Sequence, residues 1–212
     1  MKKKQEGKSE PYNPLDKINL GLSVANAILN QRYHELPPEP FDGVGIYAIY
    51  YFGDFPLYHT NVKYNQENLN GWPIYVGKAI PKGGRKGVIA TTVSGKSLYN
   101  RLKKHSKTIA AVDNLRVADF KCKFLTIDSI WIPLGEQLLI DKYKPIWNSA
   151  VDGFGNNDPG NKRYGGAIPD WHLLHQGVGW VTRMEDYGKS YELAHVEERI
   201  SRHQSRVVKK LK

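Results

Sequence analysis

Runs of apolar residues along the chain fall into two kinds. Residues 45–52 are rich in β-branched and aromatic side chains and bounded by Gly and Asp, and residues 74–76 sit between Pro73 and Gly77, so both runs predict strands. Phe120, Cys122 and Phe124 alternate within residues 120–127 and predict a third. Helical spacing appears over residues 20–31 (Leu22, Ala25, Ile28 and Leu29, with Ser23 as candidate cap), over 98–105, and in Leu134, Leu138 and Leu139 after Pro133. It returns from Tyr191 on, in Leu193, Val196, Ile200 and Val207. Pro145 bars its neighbour Lys144 from the α region and should end the third helix. Prolines hold residues 34–40 extended, residues 83–96 and 152–166 read as loops, and residues 53–72 stand between two strands as an insertion. The pattern predicts an α/β domain of the α+β type, a small mixed or antiparallel sheet flanked by helices. It divides into an N-terminal arm and helix over 1–40, a core over 41–150 and a C-terminal loop and helix over 151–212.

Composition narrows the class. At 212 residues, with 40% hydrophobic residues and a mean hydropathy of -0.54, the chain reads as one globular domain with extensions. Nothing approaches the apolar length that spans a bilayer, and no apolar stretch follows the basic start Met1-Lys2-Lys3-Lys4, so a cytoplasmic location is expected. Cys122 is the sole cysteine, which excludes an internal disulfide or a zinc site built on cysteine pairs. His172-x2-His175 lacks further ligands and reads as a capping or packing pair.

The net charge of +10 suits an anionic polymer, and its placement is more telling. Residues 78–107 hold nine Lys or Arg and no Asp or Glu. A solvated lysine face normally intersperses acids, so phosphate binding is the better reading.

Gly45-Ile46-Tyr47 at the start of one strand and Tyr75-Val76-Gly77 at the end of another resemble the signature of the GIY-YIG nuclease family. Ser97-x3-Arg101-x3-His105 resembles its helix motif, Gly135-Glu136 its metal-ligand helix and Asn148 its closing asparagine. The pieces fall in the family's order across roughly half the chain. Residues 53–72 depart from it, standing where most members have a tight connection.

The resemblance implies phosphodiester hydrolysis at a site built from Tyr47, Tyr75, Arg101, His105, Glu136 and Asn148. Glu136 would be the carboxylate ligand of one Mg2+ per active site, an ion that keeps several waters and takes few protein oxygens. Arg101 offers a fixed positive fork for phosphate, and His105 a proton relay or a fixed partner for a tyrosine hydroxyl. Tyr47 is the candidate base and Tyr75 its positioning partner, an assignment open to exchange. Asn148 would orient a ligand. Lys78, Lys82, Arg85, Lys86, Lys96, Lys104, Lys162 and Arg163 are the expected DNA contacts, the last two as readers of guanine edges in a GC-rich site.

The branch most resembled is the type II restriction endonuclease. It implies a homodimer on double-stranded palindromic DNA, with a cognate methyltransferase in the same host. The amphipathic segments 20–31 and 191–212 are expected to supply the dimer contact. A structure-specific repair or mobile-element nuclease, and a non-catalytic nucleic-acid-binding protein, are the rival readings.

Overall fold

The computed structural model describes residues 13–80, 95–185 and 193–211. A four-stranded sheet, every pair antiparallel, runs in the order β1-β4-β2-β3, with β1 at His34–Glu35, β2 at Gly45–Tyr51, β3 at Tyr75–Ala79 and β4 at Phe120–Thr126. Helices α1 (Lys17–Leu29) and α4 (Ile132–Tyr143) pack together against one face. On the other lie α2 (His59–Glu67) and α3 (Ser97–Ala110). Every residue of β2 is buried because both faces are covered, which is why its sequence shows no alternation.

Local signals set several boundaries. Asp16, whose carboxylate accepts the Ile18 N–H at 2.8 Å, starts α1 seven residues before Ser23, which therefore sits inside the helix rather than capping it. Lys144 adopts the left-handed region at φ 42° ahead of Pro145, the outcome expected of a residue barred from α.

The insertion over residues 53–72 has structure of its own. It contains α2, whose sequence is too polar to show an apolar stripe. Buried asparagines hold it instead: Asn61 Nδ2 donates to the Trp72 carbonyl at 2.9 Å, and Asn65 Nδ2 to that of Tyr51 at 3.0 Å.

The remaining helices are α5 (Ile146–Ser149), α6 (Asp170–Leu174) and α7 (Leu193–Leu211). One hydrophobic core extends from Ala25 of α1 through β2 to Val207 of α7. The expectation that α7 is spare surface for dimerisation therefore fails: Val196, Ile200 and Val207 are buried within this core, and α7 packs on α2, α5 and α6. Its pattern looked like an unpartnered stripe only because its partners are distant in sequence. His172 and His175 are both buried, as a packing pair should be; His175 bonds Tyr58 Oη at 2.7 Å and Asn114 Oδ1 at 2.8 Å. Among the described residues no helix is long and apolar enough to cross a membrane.

Candidate active site

Antiparallel register sets Tyr47 of β2 opposite Gly77 of β3. Only glycine fits there, because a Cβ at position 77 would come within 2.3 Å of the Tyr47 hydroxyl oxygen. The Tyr47 ring is fully buried, and its hydroxyl lies 2.6 Å from His105 Nε2. Arg101 Nε donates to the same oxygen at 3.4 Å. The four-residue spacing puts Ser97, Arg101 and His105 along one side of α3, while Leu98 and Leu102 bury beside them.

His105 is also fully buried, and its Nδ1 has no partner. Phe154 stacks on the imidazole, with centroids 4.6 Å apart, and a Cβ on Gly155 would lie 2.5 Å from His105 Cε1. An orphaned buried N–H costs more than an orphaned acceptor, so the proton belongs on Nε2, which donates to Tyr47. Burial, then the charges of Arg101 and Lys104, hold His105 well below the usual histidine range. It is a neutral, fixed hydrogen-bond donor.

Tyr75 differs from Tyr47 in its access. It lines a cleft of ≈ 510 Å³ together with Lys78, Asn100, Arg101, Lys104 and Glu136. Burial raises the Tyr75 pKa, whereas the Arg101 charge and a hydrogen bond from Tyr47 act to lower it. Burial raises Tyr47 too, with the neighbouring Tyr75 adding to it, and to well above the ordinary tyrosine value. Tyr47 therefore stays a phenol. With His105 and Arg101 donating to its oxygen, its own proton is directed toward Tyr75.

The cleft lies at the free edge of the sheet, where β3 is the outer strand. Alternation along β3 sends Tyr75 and Lys78 to opposite faces, so α3 supplies Arg101 from one side and α4 supplies Glu136 from the other. Asn148 does not point to a ligand: its Oδ1 accepts the Val76 N–H at 2.8 Å and its Nδ2 donates to the Val76 carbonyl at 2.9 Å. It closes the polar edge of β3 and so fixes Tyr75 and Gly77 on either side.

Among the described residues Glu136 is the single acid lining the cleft, and they hold no group of three His, Cys, Asp or Glu that could hold a metal. One carboxylate on an open, polar cleft fits magnesium, which retains most of its water, and does not fit a fully protein-caged ion. Glu136 would hold it.

The family model for the Eco29kI GIY-YIG domain matches residues 39–204. The chain belongs to this GIY-YIG family of restriction endonucleases. It is a nuclease, and its substrate is DNA. No curated protein matches the chain.

Within this GIY-YIG domain the expected DNA contacts separate. Lys78 and Lys104 line the cleft, and Lys96 is exposed where α3 begins. Exposed Lys162 and Arg163 sit on a short 3-10 turn, and Arg163 lines a second hollow of ≈ 430 Å³ with Asn157, Trp180 and Met184. Lys82, Arg85 and Lys86 lie outside the described residues.

Sequence reasoning missed Phe154 and Gly155 and, for residues it did single out, two contacts. Phe154 and Gly155 cover His105; Lys104 Nζ donates to the Gly155 carbonyl at 3.1 Å and to Asn157; and Lys78 Nζ stands 2.6 Å from Glu136 Oε2. Only the conjunction of Phe with Gly in a glycine-rich loop hinted at the first, and nothing local hinted at the others.

Proposed function

We propose that the chain is a type II restriction endonuclease that cuts both strands of a palindromic site by magnesium-dependent hydrolysis, acting as a homodimer beside a cognate methyltransferase. The observation that carries this reading is the convergence of Tyr75, Arg101, Lys104 and Glu136 on one cleft at the sheet edge. A protein that merely bound DNA would need the cations but not the buried Tyr47–His105 pair behind them.

Tyr75 is the base, because its ring lines the cleft while Tyr47 is sealed beneath it. This exchanges the two roles from the first preference. As phenolate, Tyr75 takes a proton from the attacking water while the water oxygen bonds to phosphorus and the bond to the leaving oxygen breaks. Solvent protonates the leaving oxygen. Arg101 faces both the phenolate and the phosphate, and favours the charge each gains. Tyr47 and His105 orient Tyr75 without exchanging protons with substrate. Magnesium bound at Glu136 would supply further positive charge against the phosphate oxygens.

Digesting a long plasmid with and without Mg2+ tests the reading. Discrete fragments ending at one palindrome are expected. Cuts confined to branched DNA would assign a structure-specific nuclease, and gel retardation without cutting would assign a binding protein. Glu136→Gln should abolish cleavage and leave DNA binding intact.

A further inference from the structure

The carboxylate assigned to the metal already has a cation. Lys78 Nζ is 2.6 Å from Glu136 Oε2, with the two side chains 38% and 18% exposed, so the pair sits at the cleft wall rather than in open solvent. The fold builds this contact. In β3, Lys78 pairs with Ile46 of β2, and Ile46 meets α4 at Gly135, where an added Cβ would lie 3.2 Å from Ile46 Cδ1 and 2.6 Å from Val24. The close seating of α4 carries the next residue, Glu136, to the end of the Lys78 side chain.

The remaining charges point the same way. Lys78, Arg101 and Lys104 face a single acid across the cleft. Of the three cations, Arg101 is directed to Tyr47 and Lys104 is held by Gly155 and Asn157. Among the described residues, Lys78 is the cation that lies against the carboxylate. A lysine ammonium and a divalent ion on the same carboxylate repel each other, and the ammonium has a flexible four-carbon stem with which to leave.

We propose that Lys78 is a displaceable counter-ion of Glu136. It holds the carboxylate in place when no divalent cation is present, gives it up to the metal, and then carries its charge to the incoming phosphate. This inference rests on the proposed role of Glu136 as metal ligand, and it makes Lys78 more than one of several phosphate contacts. It also predicts cooperation: a phosphate that draws Lys78 away eases entry of the metal, and the metal in turn frees Lys78 for the phosphate.

The test is Mn2+ binding to the DNA-free protein, read by the loss of free-ion electron paramagnetic resonance signal, in the wild type, Lys78→Met, Lys78→Gln, Lys78→Arg and Glu136→Gln. Removing a competing ion pair of this exposure should tighten Mn2+ binding by at least about threefold in Lys78→Met and Lys78→Gln. Lys78→Arg, which preserves the competing charge, should stay close to wild type. Unchanged or weaker binding in both neutral variants, each confirmed folded by circular dichroism, overturns the proposal. If Glu136→Gln binds Mn2+ as the wild type does, the carboxylate is no ligand and the metal reading itself falls. If Glu136→Gln loses Mn2+ but the neutral Lys78 variants do not gain, only the counter-ion role falls.

Discussion

At the scale of single residues, Tyr47 and Tyr51 of β2 and Tyr75 of β3 have distinct fates. Tyr75→Phe should slow single-turnover cleavage by at least about a hundredfold, the lower range for loss of a general base. Tyr47→Phe should cost less, because it removes orientation rather than a proton acceptor. Tyr51 Oη accepts the Phe55 N–H at 3.0 Å, so Tyr51→Phe should lower stability by about 1 kcal/mol and barely change the chemical step. A rate hurt more by Tyr47→Phe than by Tyr75→Phe would return the base to Tyr47.

The pH profile carries the same assignment. Tyr75 must lose a proton to act, and burial raises its pKa, so the rate should climb through the alkaline range. His105 is held neutral, so no histidine limb should interrupt that climb between about pH 6 and about pH 8. Arg101→Ala should slow the chemical step by at least about tenfold, as for the loss of one strong charge contact to the transition state. If it lowered affinity alone, Arg101 would be only a phosphate anchor.

At the scale of elements, β3 carries Tyr75, Gly77 and Lys78 yet is an edge strand with one free side. Asn148 supplies the missing pairing at Val76. Asn148→Ala leaves both Val76 backbone groups without those bonds. It should cost about 1–3 kcal/mol in urea unfolding and slow cleavage as well, since the strand holding Tyr75 loosens. Normal stability with lost cleavage would instead place Asn148 among the groups that touch substrate. Asparagine before a short loop is ordinary in sequence, and only the pairing of distant elements discloses what it does.

At the scale of the whole molecule, buried histidines link folding to pH. Burial lowers His175 to about 3 and His172 to about 4, from the ordinary value of 6.5. Below about pH 6.5 the unfolded chain takes up these protons and the folded chain does not, so stability is complete above that pH and falls as pH drops toward the folded values. Each histidine should remove up to about 1.4 kcal/mol per pH unit in that window. Thermal melts between about pH 7 and about pH 4 should show the loss, and His172→Gln should make it shallower. Symmetry belongs to this scale too. One Tyr75, Arg101 and Glu136 set per chain provides one reaction centre for two strands of opposite polarity. Sedimentation should therefore find two chains per cleavage-competent complex, and a single chain there would defeat the dimer.

What the sequence determined by itself was local or periodic. Apolar runs marked β2 and β4, proline chemistry ended α4, and the short motifs holding Tyr47, Tyr75, Arg101, His105 and Glu136 carried a resemblance to one family. These are legible because backbone sterics and helical period act over a few residues. Tertiary structure alone decided which tyrosine meets the cleft, because access depends on how α3 and residues 154–155 cover the sheet. It also set Asn148, expected to orient a ligand, as a strand clamp, took α7 into the core, and made a helix of polar residues 59–67 through asparagines bonded to distant carbonyls. The contact between Lys78 and Glu136 spans 58 positions and exists only because α4 seats against β2 at a glycine. Burial and pairing across such separations are set by the packed whole, and no short window of sequence contains them.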